Sequence, residues 1–156
     1  ELTLQEYECL LAFKAWWLHA QPTLIWRDVV LWNEVERYAG TADLLLKSKE
    51  EVWLIDVKTG QHVWPEHELQ VSAYKHALPV DVNASAVKLA VLQVGYRANK
   101  RGWKLTEVED QFDLFLAAKQ IWAKETEGQT VHQRDYPLVV SLNGAGVVVT
   151  AEEVAR

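Results

Sequence analysis

Cysteine is nearly absent from this chain, which has one such residue, Cys9, among 156. A single thiol excludes an intramolecular disulfide, a four-cysteine zinc site and a cysteine-ligated iron–sulfur cluster within the sequence. Stability must therefore come from a packed core. A chain of this length, 49% hydrophobic, is long enough to bury one.

Long apolar runs are also missing. No segment approaches the roughly 18 to 20 consecutive apolar residues that a membrane-spanning helix needs. The N-terminal residues contain no positively charged stretch followed by an apolar run and a small-residue cleavage site, so no secretory signal is visible. We therefore expect no membrane partner and a reducing, cytoplasmic location.

Positive charge is in short supply, with 16 Lys and Arg against 22 Asp and Glu and a formal net charge of -6. This balance argues against a protein that coats nucleic acid through a broad basic surface. It does not exclude a protein that engages a phosphate chain at one local site. Metal-ligating carboxylates would account for part of the acidic excess, because a divalent ion neutralises them.

Apolar spacing, capping residues and turn residues divide the chain into helices and strands. Thr3 and Glu6 have the spacing of a capping box, and Pro22 follows the point where the first helix must end. Pro65 suits the first turn of a second helix. The pattern predicts helices over about 3–20, 66–78 and 109–125, strands over 23–35, 37–46, 52–57, 86–96 and 103–108, and a tail hairpin whose glycine-rich turn is 143–146.

This order of elements predicts an α/β fold with a central mixed β-sheet flanked by helices. Short turns join the first three strands, which should form an antiparallel meander, whereas the strand after the second helix should return by a crossover. The chain contains no internal repeat, low-complexity run or linker. We therefore expect a single domain over 1–156.

Charged residues stand at the ends of two strongly apolar segments. Asp43 begins one strand run, and Asp56 closes the next, Val52–Val57. Asp56 and Lys58 are two residues apart, so their side chains share one face of an extended chain. Because charges beside a hydrophobic strand are partly desolvated, such residues usually have a charged partner or a metal ion.

This arrangement suits phosphodiester hydrolysis. Mg²⁺ prefers oxygen ligands, typically one or two carboxylates with water and phosphate in the remaining positions. Asp43 and Asp56 can supply the carboxylates, and the backbone carbonyl of Val57 can supply a third oxygen. The ion would activate a water molecule, and Lys58 would orient or deprotonate that water or hold the phosphate.

The motifs GTAD (40–43) and IDVKTG (55–60) resemble the second and third motifs of the PD-(D/E)xK nuclease superfamily. Gln70 and Tyr74 add a QxxxY element, which resembles the RecB-type branch that includes phage exonucleases. Being four residues apart, they share one face of the predicted helix. The resemblance covers about residues 26–77, roughly a third of the chain, and rests on three motifs in the expected order.

The resemblance implies a restriction-endonuclease-like core and a deoxyribonuclease that uses Mg²⁺ or Mn²⁺ and acts on single- or double-stranded DNA. It places Asp43, Asp56, Lys58, Gln70 and Tyr74 in the catalytic site. An exonuclease in recombination, repair or phage replication is the leading expectation. The alternatives are a dimeric, junction-resolvase-like endonuclease and an inactive DNA-binding module that works with a protein partner.

Members of the family often have a further, upstream carboxylate at the metal site. In this chain Asp28, Glu34 and Glu36 compete for that role, and the pattern favours Asp28 as a fourth metal ligand. Relatives that hold an iron–sulfur cluster use four cysteines. With Cys9 alone, this chain is expected to have no such cluster.

Each of these residues also has a purely structural interpretation. Asp43 can be a strand-edge carboxylate, Asp56 and Lys58 a surface ion pair, and Gln70 and Tyr74 residues that cap and pack a helix. The basic turn Arg97–Arg101 is either a solvated loop or a contact to the DNA backbone. The remaining candidates are five scattered histidines and five tryptophans, the latter either core residues or base-stacking platforms: His19, His62, His67, His76, His132, Trp16, Trp17, Trp26, Trp32 and Trp64.

Overall fold

The computed structural model describes residues 2–129 and the backbone of two short strands further along the chain. The chain divides into two compact units, Glu1–Trp122 and Ala123–Arg156. The candidate site lies wholly within the first unit. The assignment of 1–156 to one domain stays a prediction.

Helices and strands follow the order that the sequence predicts. The helices are α1 (Leu4–Ala20), α2 (Pro65–Lys75) and α3 (Phe112–Glu125), and a short 3-10 turn covers Ala84–Ala86. The strands are β1 (Thr23–Asn33), β2 (Tyr38–Ser48), β3 (Glu51–Lys58), β4 (Val87–Val94), β5 (Trp103–Val108), β6 (Val139–Val140) and β7 (Val148–Val149).

Five strands form one mixed sheet in the order β1-β2-β3-β4-β5. Every neighbouring pair is antiparallel except β3 and β4, which run parallel. The crossover that parallel pairing requires contains α2. The predicted meander, the crossover and the α/β class are therefore confirmed.

Each face of the sheet packs against a helix and has its own apolar cluster. The α1-side cluster joins helix residues such as Ala12 and Trp16 to alternate strand residues, and the α2-side cluster does the same around Val71. β3 and β4 contribute to both clusters, because successive side chains of a strand point to opposite faces. The buried members that β3 and β4 supply are Leu54, Val87, Leu89 and Val91 on the α2 side, and Ile55, Ala90, Leu92 and Val94 on the α1 side.

Capping and proline effects set the helix ends. The predicted capping box of α1 is present: Glu6 N–H donates to Thr3 Oγ1, and Thr3 N–H donates to Glu6 Oε2. α2 ends at Lys75, three residues before the predicted end, and Pro79 disfavours helical geometry at Leu78, the predicted last residue. α3 begins at Phe112 rather than 109, where its N–H donates to Asp110 Oδ1.

The tail strands β6 and β7 pair in antiparallel fashion, as a hairpin requires. The predicted glycine-rich turn, 143–146, lies outside the described residues. Among the helices that the structure describes, none has the length and apolar character needed to cross a bilayer.

Candidate active site

The centre of the candidate site is a gap between β2 and β3. The two strands pair from Ser48 opposite Glu51 to Leu44 opposite Ile55. Beyond that point the Asp43 side chain takes the place of a backbone partner on β2, because the Val57 N–H donates to Asp43 Oδ2 over 2.7 Å. Asp43 is therefore held by the backbone of the strand that bears Asp56.

The same contact indicates where the Val57 carbonyl points. The N–H and C=O of one strand residue are directed to the same neighbouring strand, as the exchange of both bonds in a hydrogen-bonded pair requires. Since the N–H of Val57 meets Asp43, its C=O also points to the β2 side. The carbonyl that the sequence offers as a third oxygen ligand is thus directed at the gap.

Asp56 is a buried carboxylate beside a half-buried lysine. Its residue surface is only 2% exposed, and Lys58 Nζ lies 2.8 Å from its Oδ2. The angle of that contact does not make a hydrogen bond, so this buried oxygen has an ion-pair partner but no aligned donor among the described residues. A buried oxygen left without a hydrogen bond is unusual in a folded protein.

The pKa of Asp56 is raised above its ordinary value. Burial raises the pKa of Asp56, and the neighbouring Asp43 carboxylate raises it further, while contact with Lys58 and the proximity of His67 act in the opposite direction. The net effect is a raised pKa, which means that contact with Lys58 does not fully offset the cost of burying the carboxylate.

A string of polar side chains links Lys58 to α2. Lys58 Nζ donates to Gln70 Oε1 over 3.1 Å, and Gln70 Nε2 donates to the Tyr74 hydroxyl over 2.7 Å. The opposite amide orientation would set the NH₂ group against the ammonium, so Lys58 fixes which end of Gln70 faces Tyr74. With its oxygen accepting from Gln70, the Tyr74 hydroxyl has its own proton free to donate.

Gly40 sets the place of the tyrosine ring. A Cβ at this position would lie 2.5 Å from Tyr74 Cε1, closer than two carbon atoms can approach. The absence of a side chain on β2 therefore lets the Tyr74 ring lie against the strand backbone. Glycine is the first residue of the GTAD motif, and the motif alone does not reveal this packing role.

Gln93 is a functional candidate that the sequence analysis missed. It lies opposite Lys58 in the β3–β4 register and is 1% exposed. Its Nε2 donates to the Gly60 carbonyl over 3.1 Å, which fixes the loop that follows Lys58. The signal was available, because Gln93 is a polar residue near the end of the apolar strand β4.

The three candidates for an upstream carboxylate are placed differently. Asp28 is exposed on β1 with a left-handed φ of 49°, and flanking pairs put it opposite Asp43 in register. Glu34 and Glu36 lie in the turn before Tyr38, about 16 Å along the strand from Asp43 at ~3.3 Å per residue. Within the described residues, no three acidic, histidine or cysteine side chains form a metal-binding group.

Two of the histidines are placed close to the candidate site. His67 Nδ1 accepts from the Trp64 N–H at the start of α2, and the proximity of this residue lowers the pKa of Asp56. The His62 ring lies 5.6 Å from that of Trp64, which is 53% exposed. Trp64 is thus an accessible aromatic surface near the loop after β3.

The other histidines serve packing or lie elsewhere. His19 contacts the Trp103 ring at 5.4 Å, and His76 stacks on Phe112 at 3.9 Å while its Nε2 meets Asp110. Burial would raise the pKa of Asp110, but hydrogen bonds from His76 and Lys75 outweigh it and hold that pKa below its ordinary value. His132 lies outside the described residues.

Of the other four tryptophans that the sequence analysis named, most belong to the core. Trp16 is buried, Trp17 packs against the α1-side cluster, and Trp26 packs against the α2-side cluster. Trp32 is 61% exposed on β1. Three of the four therefore follow the core interpretation.

The basic turn lies at the same sheet edge as Lys58, because the parallel strands β3 and β4 end there together. Gln61 joins the two loops: its Nε2 donates to the Gly95 carbonyl, and its Oε1 accepts from the Arg97 N–H. The cations of the turn are exposed, and they form no ion pair within the part of the chain that the structure describes: Arg97, Lys100 and Arg101.

The residues present fit a divalent metal ion. Asp43 and Asp56 bring two carboxylates together, and the Val57 carbonyl points to the same gap. Within the described residues, the buried Asp56 Oδ2 has Lys58 as an ion-pair partner and no hydrogen bond. The carboxylates and the carbonyl are hard oxygen ligands of the kind that Mg²⁺ and Mn²⁺ bind, with positions left for water and phosphate.

Comparison with known proteins adds no relative: no protein-family model matches the chain, and no curated protein matches it significantly.

Proposed function

We propose that this protein is a metal-dependent deoxyribonuclease of the PD-(D/E)xK type, with Asp43, Asp56 and Lys58 as its central residues. The observation that carries the proposal is the convergence of two carboxylates, a backbone carbonyl and a lysine at the end of β3. The arrangement of a mixed sheet with α1 and α2 on opposite faces also agrees with a restriction-endonuclease-like core.

Asp43, Asp56 and the Val57 carbonyl would hold Mg²⁺ or Mn²⁺. When bound, the ion would supply Lewis-acid activation of water and stabilisation of charge on the phosphate. The protein supplies the geometry for this chemistry. Asp43 is fixed by the Val57 amide and Asp56 by burial in the sheet, so neither carboxylate has to be ordered when the ion binds.

Lys58 acts as a cation in this arrangement. Both of its contacts are to acceptor oxygens, of Asp56 and of Gln70. An ammonium has three N–H groups, and contacts with these two oxygens leave at least one of them to hold a phosphate oxygen. Since Gln70 also orients the Tyr74 hydroxyl, the string presents two donors, one charged and one neutral, to a phosphodiester at the gap.

The reaction is hydrolysis of a P–O bond. A water oxygen attacks phosphorus, the bond to the leaving sugar oxygen breaks, and the two products are a phosphate monoester and a hydroxyl end. A proton of the water ends on the leaving oxygen, and no atom changes its oxidation state. The donors on Lys58 and Tyr74 hold the phosphate for attack, which is the positioning that a phosphoryl-transfer enzyme needs.

The decisive experiment is cleavage of circular plasmid and of end-labelled single- and double-stranded oligonucleotides with Mg²⁺, Mn²⁺, Ca²⁺ or EDTA. We expect cleavage with Mg²⁺ or Mn²⁺, none with EDTA, and binding without turnover in Ca²⁺, which tolerates looser geometry. Products that shorten from an end would identify an exonuclease. Cutting confined to four-way junctions by a dimer would identify a junction resolvase instead.

Site variants link that activity to the gap. Asp56→Asn and Asp43→Asn should each lower the rate by at least about 100-fold, and Asp56→Asn should also lose saturable Mn²⁺ binding. Asp81→Asn is the matched control, because Asp81 is an exposed loop residue outside the site. Equal Mn²⁺ binding by wild type and Asp56→Asn would refute the metal assignment.

A further inference from the structure

An apolar cavity of about 330 Å³ opens directly beside the polar string. Gln70 and Tyr74 are among the residues that line it, and Tyr38 and Phe115 add aromatic walls. Its volume falls at the lower end of the ~300–1,000 Å³ range of small-ligand pockets. The cavity is continuous with the candidate site, since both use Gln70 and Tyr74.

The aromatic walls are held in place before any ligand binds. The Tyr38 hydroxyl donates to the Ala73 carbonyl over 2.7 Å, which anchors the ring of β2 to α2. Phe115 meets Tyr38 edge to face at 4.9 Å. Fixed aromatic rings bind a planar group at a low cost in conformational entropy.

The cavity and the metal gap differ in the charges of the residues that line them. Among the described residues that line the cavity there is no cation, and the one carboxylate, Glu66, would repel a phosphate. Lys58 lies on the other side of Gln70. The two regions therefore suit the two parts of a nucleotide: an anionic phosphate at Lys58 and an uncharged, planar base in the cavity that Tyr38 and Tyr74 line.

We propose that this cavity binds an unpaired nucleobase next to the scissile phosphate, so that the enzyme acts on single-stranded or frayed DNA. A base in a Watson–Crick pair cannot enter, because it is stacked and hydrogen-bonded within the duplex. This inference rests on the proposed nuclease function and adds the class of substrate.

The test measures binding of a single-stranded 12-mer of thymidine to the wild-type protein in Ca²⁺. Abasic sites are placed at one position at a time, and a blunt duplex is the comparison. Loss of one stacked base should weaken binding by about five- to 150-fold at one position of the strand. The blunt duplex should bind more weakly than the single strand.

Ala39→Phe fills the cavity from its rim, since Ala39 is an exposed strand residue that lines it. We expect this variant to weaken binding of the intact strand by the same factor and to leave binding of the abasic strand unchanged. Val30→Phe adds an equal ring at an exposed β1 position outside the cavity and should change neither. Phe115→Leu, which keeps apolar volume but removes the ring, gives a second measure should Ala39→Phe fail to fold.

The base-pocket assignment would be overturned if the abasic strands all bound with the same affinity. It would also be overturned if both cavity variants bound the intact strand as tightly as the wild type. In either case metal-dependent cleavage would still support a nuclease. Cleavage within blunt duplex as fast as within single strands would overturn it as well. Absence of any metal-dependent cleavage would refute the nuclease and the pocket together. The cleavage assay therefore separates the two failures.

Discussion

The two faces of the sheet are built from the same strands and differ in what the covering helix contributes. On the α1 side, Phe13, Trp16 and Trp17 pack as an aromatic group over aliphatic strand residues. On the α2 side the apolar packing gives way, toward the end of β3, to the string from Asp56 through Lys58 to Tyr74. One face is thus suited to stability, and the other combines packing with chemistry.

Trp16→Ala should produce the largest effect on the α1 side. Trp16 is 2% exposed, and loss of so large a buried side chain leaves a cavity that costs about 3–5 kcal/mol of unfolding free energy. Chemical denaturation would measure this loss. Cleavage per folded molecule should be unchanged, and Trp32→Ala, at an exposed position, should alter stability by only ~0.5 kcal/mol or less. A folded Trp16→Ala protein with impaired chemistry would contradict the division between the faces.

Lys58→Ala, on the α2 side, should have its main effect on the rate of cleavage. Removing the cation that contacts Asp56 and Gln70 should lower the single-turnover rate by two or more orders of magnitude, about 2.7 kcal/mol or more of barrier. DNA affinity should change much less. A variant that lost affinity but kept its rate would make Lys58 a phosphate anchor only. Lys14→Ala, on the exposed side of α1, is the control for removing a lysine.

Gly40→Ala tests whether packing and chemistry are coupled at Tyr74, on the α2 side of the sheet. The added Cβ would overlap the tyrosine ring, so we expect a loss of about 1–3 kcal/mol in stability together with slower cleavage. The combination of Gly40→Ala with Tyr74→Ala should be no less stable than Tyr74→Ala alone, because the clash partner is gone. Thermal melting of the three proteins measures this coupling. Simple addition of the two effects would show that the glycine serves another purpose.

Tyr74→Phe and Gln70→Ala should have the smallest effects on chemistry. Each removes a neutral hydrogen-bonding group, which corresponds to roughly 0.5–1.5 kcal/mol, or somewhat more if the phosphate is desolvated. We expect cleavage to fall about three- to fiftyfold while the fold survives. Tyr74→Phe that cleaved at the wild-type rate but melted several degrees lower would make the hydroxyl a packing group, and the string would end at Gln70.

Local periodicity predicted the parts of the site that depend on one element. Asp56 and Lys58 share a face because a strand has a period of two, and Gln70 and Tyr74 contact each other because they are one helical turn apart. The meander and the crossover followed from connection lengths. These features need only the residues of one or two neighbouring elements.

Local periodicity could not predict the features that join elements far apart in the sequence. The link from Asp43 to the Val57 amide depends on where β2 leaves β3, which no local pattern specifies. The cavity that Tyr38 and Phe115 line requires β2 and α3 to come together. The place of Asp28 depends on a left-handed residue inside β1, where an extended strand is the sequence expectation. Its role as a ligand stays a prediction.

The hydrogen bond from the Val57 amide to Asp43 makes this amide a spectroscopic reporter of the gap. The resonance of an amide proton depends on the electron density of its acceptor, and a cation drawing on the same carboxylate lowers that density. Metal addition should therefore move the Val57 amide signal, while that of Ala90, buried in β4 on the α1 side, stays in place. Ion occupancy can thus be titrated by nuclear magnetic resonance in the absence of DNA, separately from turnover.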